Sequence, residues 1–157
     1  MEIVVQELPS FSVLGIEGRA ESGNNPAPAL WEKANARFGE VEGLALRDGK
    51  GAPVGIWGAM SDLSRSFLPW EDGFSQGLYL AGVQVSPEAL PPEGWAKWTL
   101  PAFASLRVKA EGDYAAAFQA GLEELGRRGL TLAGAVQECQ RPAEGGQLYL
   151  FFPFKRL

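Results

Sequence analysis

The sequence predicts an α+β fold built from two similar strand–helix–strand–strand units related by a pseudo-twofold axis, with an antiparallel sheet and a ligand cleft between the halves. Three observations lead there. The segment LPSFSVLGIEGRAE, beginning at Leu8, returns as LPAFASLRVKAEGD, beginning at Leu100. Leu8, Pro9, Phe11, Leu14 and Ile16 fall in register with Leu100, Pro101, Phe103, Leu106 and Val108, and a long-range match of this kind is the first signal of a repeat. Each copy is followed by a helix-period segment, and each helix by strand-like runs joined through a glycine-rich turn. Helices followed by hairpins argue for an antiparallel sheet, since parallel sheets alternate single strands with helices. The chain of 157 residues, 46% of them hydrophobic, fits one domain spanning 1–157, with the first unit at about 1–85 and the second at about 95–157.

In the first unit, PSFSVLGIEGR reads as a strand and ESGNNPAP as a loop. Asn25 is a helix N-cap candidate and Pro26 suits the first helical position. Leu30, Ala34 and Phe38 then recur at spacing four, with Trp31 beside them. GLALRD, the turn DGKGAP, VGIWGAM and LYLAGVQV follow as strands and turn. The glycines of GKGAPVG at 49–55 have the spacing GxGxxxG, with no GKS or GKT and no helix after them. They belong to a hairpin turn, and nucleotide binding has no support. Two aromatic connections come next, 61–75 with Phe67, Trp70 and Phe74, and 86–99 with Trp95 and Trp98. Proline-rich segments carrying large aromatics are expected as ordered loops at the cleft mouth. In the second unit Asp113 can cap a helix whose apolar stripe is Tyr114, Phe118, Leu122 and Leu125, and which ends at Gly129 after two arginines. LAGAVQECQ, the turn RPAEGG and QLYLFFPF close the chain.

Composition excludes whole classes of function. The net charge is −5, from 14 basic and 19 acidic residues, and the basic pairs Arg127-Arg128 and Lys155-Arg156 are isolated. A phosphate-neutralising patch is therefore missing, and no direct nucleic-acid partner is expected. The longest apolar run, Leu148 to Phe154, is far short of the roughly twenty residues a membrane helix needs. The N-terminus lacks the basic region of a signal peptide. With a single cysteine, Cys139, no internal disulfide forms, and a cytoplasmic location is expected. Histidine is absent. That removes Ser-His-Asp and Cys-His catalysis and histidine-ligated zinc or iron. Neither a metal nor a cofactor is expected, and any chemistry falls to Asp, Glu, Tyr, Lys or the backbone.

Glu138 is the leading candidate. Alternation along LAGAVQECQ puts it on one face with Leu132, Gly134 and Val136. A carboxylate in an apolar strand is costly unless paired or facing a cavity. It can bind a cation, or act as an acid or base with a raised pKa. The competing reading is a strand end that faces water or pairs with Arg141. Trp57 is the second candidate: its own face holds the small Gly55 and Ala59, which leaves room for a cleft beside the indole, against a plain core role. An aromatic wall beside a carboxylate suits flat, hydrophobic or cationic ligands. Trp95, Trp98, Trp70, Tyr79 and Tyr149 complete the predicted aromatic set.

The ordered blocks PSFSVLGIEGR, APVGIWGAM, GLYLAGVQV, PPEGWAKWTLPAFASLRVKAEGDY, AVQECQ and the closing FFPF resemble the GyrI-like small-molecule-binding family, which is also the effector-binding domain of bacterial multidrug-sensing transcription activators. The resemblance covers Ile3 to Phe154. It implies two strand–helix–strand–strand units with a ligand cleft between them. It also implies a buried acidic residue on the strand after the second helix, here Glu138, and an aromatic wall near Trp57 and Trp95. The family's frequent tyrosine two positions beyond the acidic residue is Gln140 here, so a hydroxyl partner must come from elsewhere. The chain begins at the first strand, leaving no room for a helix-turn-helix segment, and looks like a stand-alone member. The resemblance implies a sensor or sequestering protein for a small organic molecule. An alternative is a hydrolase of cyclopropane-bearing alkylating natural products using Glu138 with Trp57, Trp95 or Trp98. A further alternative is a protein inhibitor of a partner enzyme. Strand edges in a small sheet make a homodimer an open possibility.

Overall fold

Branched and aromatic residues in the repeated segments form long strands, and a proline interrupts each copy at the same place. The computed structural model describes residues 1–157. In chain order the elements are β1 (Ile3–Leu8), β2 (Phe11–Ala20), α1 (Ala27–Ala36), β3 (Ile56–Ser61), a helical turn α2 (Glu71–Phe74), β4 (Gly77–Val85), β5 (Ala96–Leu100), β6 (Phe103–Lys109), α3 (Tyr114–Arg127), β7 (Gln137–Arg141) and β8 (Gln147–Arg156). The strands form one eight-stranded sheet in the order β1-β6-β8-β7-β3-β4-β2-β5, and every pairing is antiparallel. Exchanging β1–β4 for β5–β8 and back leaves this order unchanged apart from its direction.

Before its helix, each unit carries two strands where the sequence predicted one. Pro9 and Pro101 fall between β1 and β2 and between β5 and β6. Proline cannot donate to a ladder, so each long segment breaks there and its first piece leaves. β1 pairs with β6 of the other half, and β5 pairs with β2.

Local signals explain most boundaries. The Asn25 side chain accepts from the Ala27 backbone N–H at 3.1 Å, one step earlier than expected, because Pro26 occupies the N-cap position itself. α1 ends at Ala36, and Phe38 opens a 3-10 turn. GLALRD is not a strand. Residues Glu42–Leu44 form a 3-10 turn, and only isolated bridges, Ala45 to Val85 and Arg47 to Pro53, tie the segment down; Leu44 and Leu46 stay exposed, so no buried face enforces alternation. Asp113 caps α3 as expected, accepting from Ala116 N–H at 2.7 Å. The LAGAVQECQ strand begins only at Gln137. Before it, the Ala133 N–H goes to Pro153 O and the Ala135 N–H to Phe67 O, so these groups are satisfied by irregular partners.

Both faces of the sheet are buried along its central strands, whereas the edge strand β1 leaves Val4 and Val5 exposed. α1 covers Leu14, Ile16, Tyr79 and Val83, and α3 covers Leu106, Val108, Leu150 and Phe152. The opposite face holds Val13, Trp57, Leu80, Trp98, Leu100, Tyr149 and Phe151 in one cluster. These residues come from β2, β3, β4, β5 and β8. Removing one of the large buried rings from such a cluster costs about 3–5 kcal/mol. α1 and α3 lie against different ends of the sheet and leave the central β3–β7 pair between them for a cavity.

Candidate functional site

The cavity between the helices measures about 640 Å³, within the usual range for small-molecule sites. Its walls come from both units. The β2–α1 loop supplies Asn24 and Asn25, β3 supplies Met60, β4 supplies Tyr79, α3 supplies Tyr114 and Phe118, the approach to β7 supplies Val136, and β7 itself supplies Glu138. Trp70 and Phe74 reach in from the segment joining β3 to β4.

Glu138 is placed by a glycine. Gly58 on β3 stands directly opposite Glu138 on β7, and Tyr79 on β4 faces the neighbouring Met60. A Cβ on Gly58 would lie 2.5 Å from Glu138 Cγ and nearer still to its Oε1 and to the Tyr79 hydroxyl. Only a bare backbone there lets the tyrosine and the carboxylate meet across the middle strand. Tyr79 donates its hydroxyl proton to Glu138 Oε1. The Tyr79 oxygen in turn accepts from the Trp31 indole N–H at 2.8 Å. With that lone pair engaged, the single hydroxyl proton is aimed at the carboxylate, so the chain runs Trp31 to Tyr79 to Glu138.

The electrostatics follow from this arrangement. Burial pushes the Glu138 carboxyl above its ordinary value, and the hydroxyls of Tyr79 and Tyr114 pull against that rise. Burial, and then the nearby Glu138 charge, push both tyrosines upward, so both remain protonated donors at neutral pH. Tyr114 keeps 39% of its surface exposed, yet its hydroxyl end turns toward the carboxylate. No lysine or arginine lines the cavity, whereas Glu138 and Glu21 do. Glu21, at the rim, is paired with Arg19 at 2.8 Å. The interior carboxylate thus has hydroxyl partners and no cation. Nowhere in the chain do three or more His, Cys, Asp or Glu side chains gather to hold a metal ion.

The 61–76 segment forms a strap over the cavity. The buried Asp62 ties it: its carboxylate accepts from the backbone N–H groups of Ser66 at 3.0 Å and Leu68 at 3.3 Å, and from the Ser61 hydroxyl at 3.2 Å. Burial pushes the Asp62 carboxyl up, but the hydrogen bonds from Ser64, Leu68, Ser66 and Ser61 outweigh it and hold it below its ordinary value. The Trp70 indole N–H donates to Leu78 O at 3.1 Å, and its ring lies in space left by Gly77. Phe74 meets Phe118 edge-on at 5.3 Å, and Phe118 stacks on Tyr114 at 6.2 Å.

Of the predicted site residues, the cavity brings together Glu138, Tyr79 and Trp70. The other four stand elsewhere. Trp57 is on the opposite sheet face, 4.6 Å from Phe11 and 5.6 Å from Phe151 by ring centroid; the room beside Gly55 is taken by its own indole, which donates to Gln84 Oε1 at 3.0 Å. Trp98 is buried in the same cluster and donates to Glu17 at 2.7 Å. Trp95 packs near α1 and donates to Glu40 at 3.1 Å. Tyr149 lies between the guanidinium groups of Arg107 and Arg141, 4.9 and 4.4 Å from its ring centroid, with its hydroxyl on Glu144. Sequence reasoning missed Tyr114 and Phe118 as cavity residues, having read them as a core stripe, and it missed Trp31. The hydroxyl partner lacking at Gln140 is supplied by Tyr79.

No protein-family model and no curated protein matches the sequence. Solved structures match its fold. SAV2435 bound to tetraphenylphosphonium has a TM-score of 0.65 at 18% identity, over 99% of this chain and 94% of that one. The EcmrR C-terminal domain has a TM-score of 0.66 at 10% identity, over 99% and 98%; in the EcmrR–DNA complex the matched part is 58% of that chain. The integron cassette protein VCH_CASS2 from the mobile metagenome of Vibrio cholerae has a TM-score of 0.61 at 16% identity, over 98% and 95%. The fold expected from the resemblance, that of the GyrI-like effector-binding domain, is the fold observed. No helix is long and apolar enough to cross a membrane.

Proposed function

We propose that this chain binds a hydrophobic organic cation in the cavity around Glu138. One observation carries the reading: a carboxylate in an aromatic cavity, hydrogen-bonded by Tyr79, with no basic residue in the wall. The Tyr79 hydroxyl softens the cost of the buried charge but leaves it uncompensated, and a cation whose own charge is shielded by apolar groups compensates it with little desolvation. Phe118, Tyr114, Phe74 and Trp70 offer ring faces and edges to such a ligand. The likeness of fold to a protein described as bound to tetraphenylphosphonium supports the choice of probe. The hydrolase alternative relied on Trp57, Trp95 and Trp98 beside Glu138; none of them lines this cavity, so the reading loses the aromatic positioning it invoked.

The test is calorimetric titration with tetraphenylphosphonium and with the neutral triphenylphosphine oxide. Glu138→Gln keeps the shape and removes the charge. It is expected to weaken the cation by about 1–3 kcal/mol, the range for a partner removed from a buried charge-assisted contact, and to leave the neutral compound nearly unchanged. Equal losses for both compounds, or none for the cation, would end the reading.

A further inference from the structure

A second cavity, of about 260 Å³, shares Trp31 with the hydrogen-bond chain just described. Trp31, Ala34 and Phe38 line it from α1 and the turn after it, Ile56 and Val83 from the sheet, and Trp95 from the 86–95 connection. None of its lining residues carries a titratable group. Both indole N–H groups are already committed, Trp31 to the Tyr79 oxygen at 2.8 Å and Trp95 to Glu40 at 3.1 Å. Asn35 is the single polar side chain in the wall, and a wall without charge and without free ring donors cannot repay the desolvation of an ion. It can accept an apolar ring, and an apolar cavity of only about 150 Å³ already takes benzene.

We propose that this cavity is a second binding site, for an uncharged aromatic molecule of one or two rings, and that Trp31 couples it to the Glu138 cavity. The coupling rests on the cation reading of the first cavity; the second site does not. A ring packed beside Trp31 restricts the indole to the position in which it donates to Tyr79. Tyr79 then stays oriented with its O–H donating to Glu138, which favours the ionised carboxylate and so the cation. Because coupling between two ligands is reciprocal, each tightens the other by the same factor.

Fluorobenzene is the probe, followed by fluorine NMR line broadening, with tetraphenylphosphonium as the first-cavity ligand. Fluorobenzene broadening is expected to persist under saturating tetraphenylphosphonium. It is expected to disappear in Ala34→Leu, which fills the cavity from α1. Ile56→Phe fills the same space from β3 and serves if the first variant fails to fold, which circular dichroism decides. Saturating fluorobenzene should tighten tetraphenylphosphonium about fivefold, the low end of allosteric couplings. Trp31→Phe, which removes the N–H and keeps a ring, should abolish that gain. Displacement of fluorobenzene by tetraphenylphosphonium, or undiminished broadening in a folded filled variant, overturns the second site. An unchanged gain in Trp31→Phe, or no gain in the parent protein, overturns the coupling. Failure of tetraphenylphosphonium to bind while fluorobenzene binds and is lost on filling supports the second site and ends the cation reading alone.

Discussion

Gly58→Ala is the most discriminating single substitution. Gly58 is not among the glycines with positive φ, so its backbone suits any L-residue. On conformational entropy alone, replacing such a glycine by alanine stabilises a protein by about 0.4–1 kcal/mol. The site geometry predicts the opposite sign. The new methyl would stand 2.5 Å from Glu138 Cγ and closer to the Tyr79 hydroxyl, so one side chain must leave. The charge-assisted bond between them is worth about 1.5–3 kcal/mol, and forcing a methyl into filled space costs about 1–3 kcal/mol. After subtracting the entropy gain, a net destabilisation of about 2–5 kcal/mol follows from these ranges. Urea unfolding measures it directly, with the slope checked for constancy. Tetraphenylphosphonium affinity should fall together with stability, since the anchor itself is displaced. An alanine variant as stable as the parent or more so, with unchanged affinity, would refute the claim that this glycine seats the carboxylate.

The remaining predictions concern charge and caps. Burial raises the Glu138 carboxyl in the folded state, so its contribution to stability is complete at low pH and is lost as pH rises from the unfolded value near 4.3 through the folded one, at about 1.4 kcal/mol for each pH unit between them. Thermal melts of Glu138→Gln should therefore coincide with the parent near pH 4 and lie above it at pH 8; parallel curves would contradict the shift. The Cys139 thiol is buried and pushed up to about 12 by burial, so Ellman's reagent at pH 8 should label it only after unfolding, and rapid labelling of the native protein would show it accessible. Asp113→Ala removes the α3 cap and should cost about 0.5–2 kcal/mol in urea unfolding; no change would mean that another group satisfies the Ala116 N–H.

The sequence made the repeat legible because both copies keep their apolar residues in register around a proline, Leu8-Pro9 and Leu100-Pro101. It did not show that each proline sends β1 and β5 to the opposite half, since partner choice depends on edges that exist only once the sheet forms. The place of Glu138 in the cavity wall was legible because a carboxylate on one face with Leu132, Gly134 and Val136 demands an explanation. Trp57 misled for a matching reason. Gly55 and Ala59 left space on its face, but Phe11 and Phe151, far away in sequence, close around it. Tyr114 and Phe118 show the limit of periodicity: a stripe marks a helix face turned inward, and it reads the same over solid core as over a cavity. Gly58 carried a usable signal, because a lone glycine inside a strand marks a close approach.

The exchange of leading strands between the halves has a consequence for how the protein assembles. Topologically the chain is a tandem pair whose members have traded arms, much as two copies of one subunit do in a swapped dimer. Arg107 on β6 reaches Gln6 on β1 across 101 positions of sequence, so the sheet closes only after both ends of the chain are made, a long-range closure that slows folding. Neither half keeps a complete sheet by itself, because each lends an edge strand and borrows one. The cavity walls are shared across the same seam, with Tyr79 from one half and Glu138 and Phe118 from the other. A ligand bound there as proposed would touch both halves at once. A molecule lodged in that seam rivets the two halves together, and anything that parts them empties it.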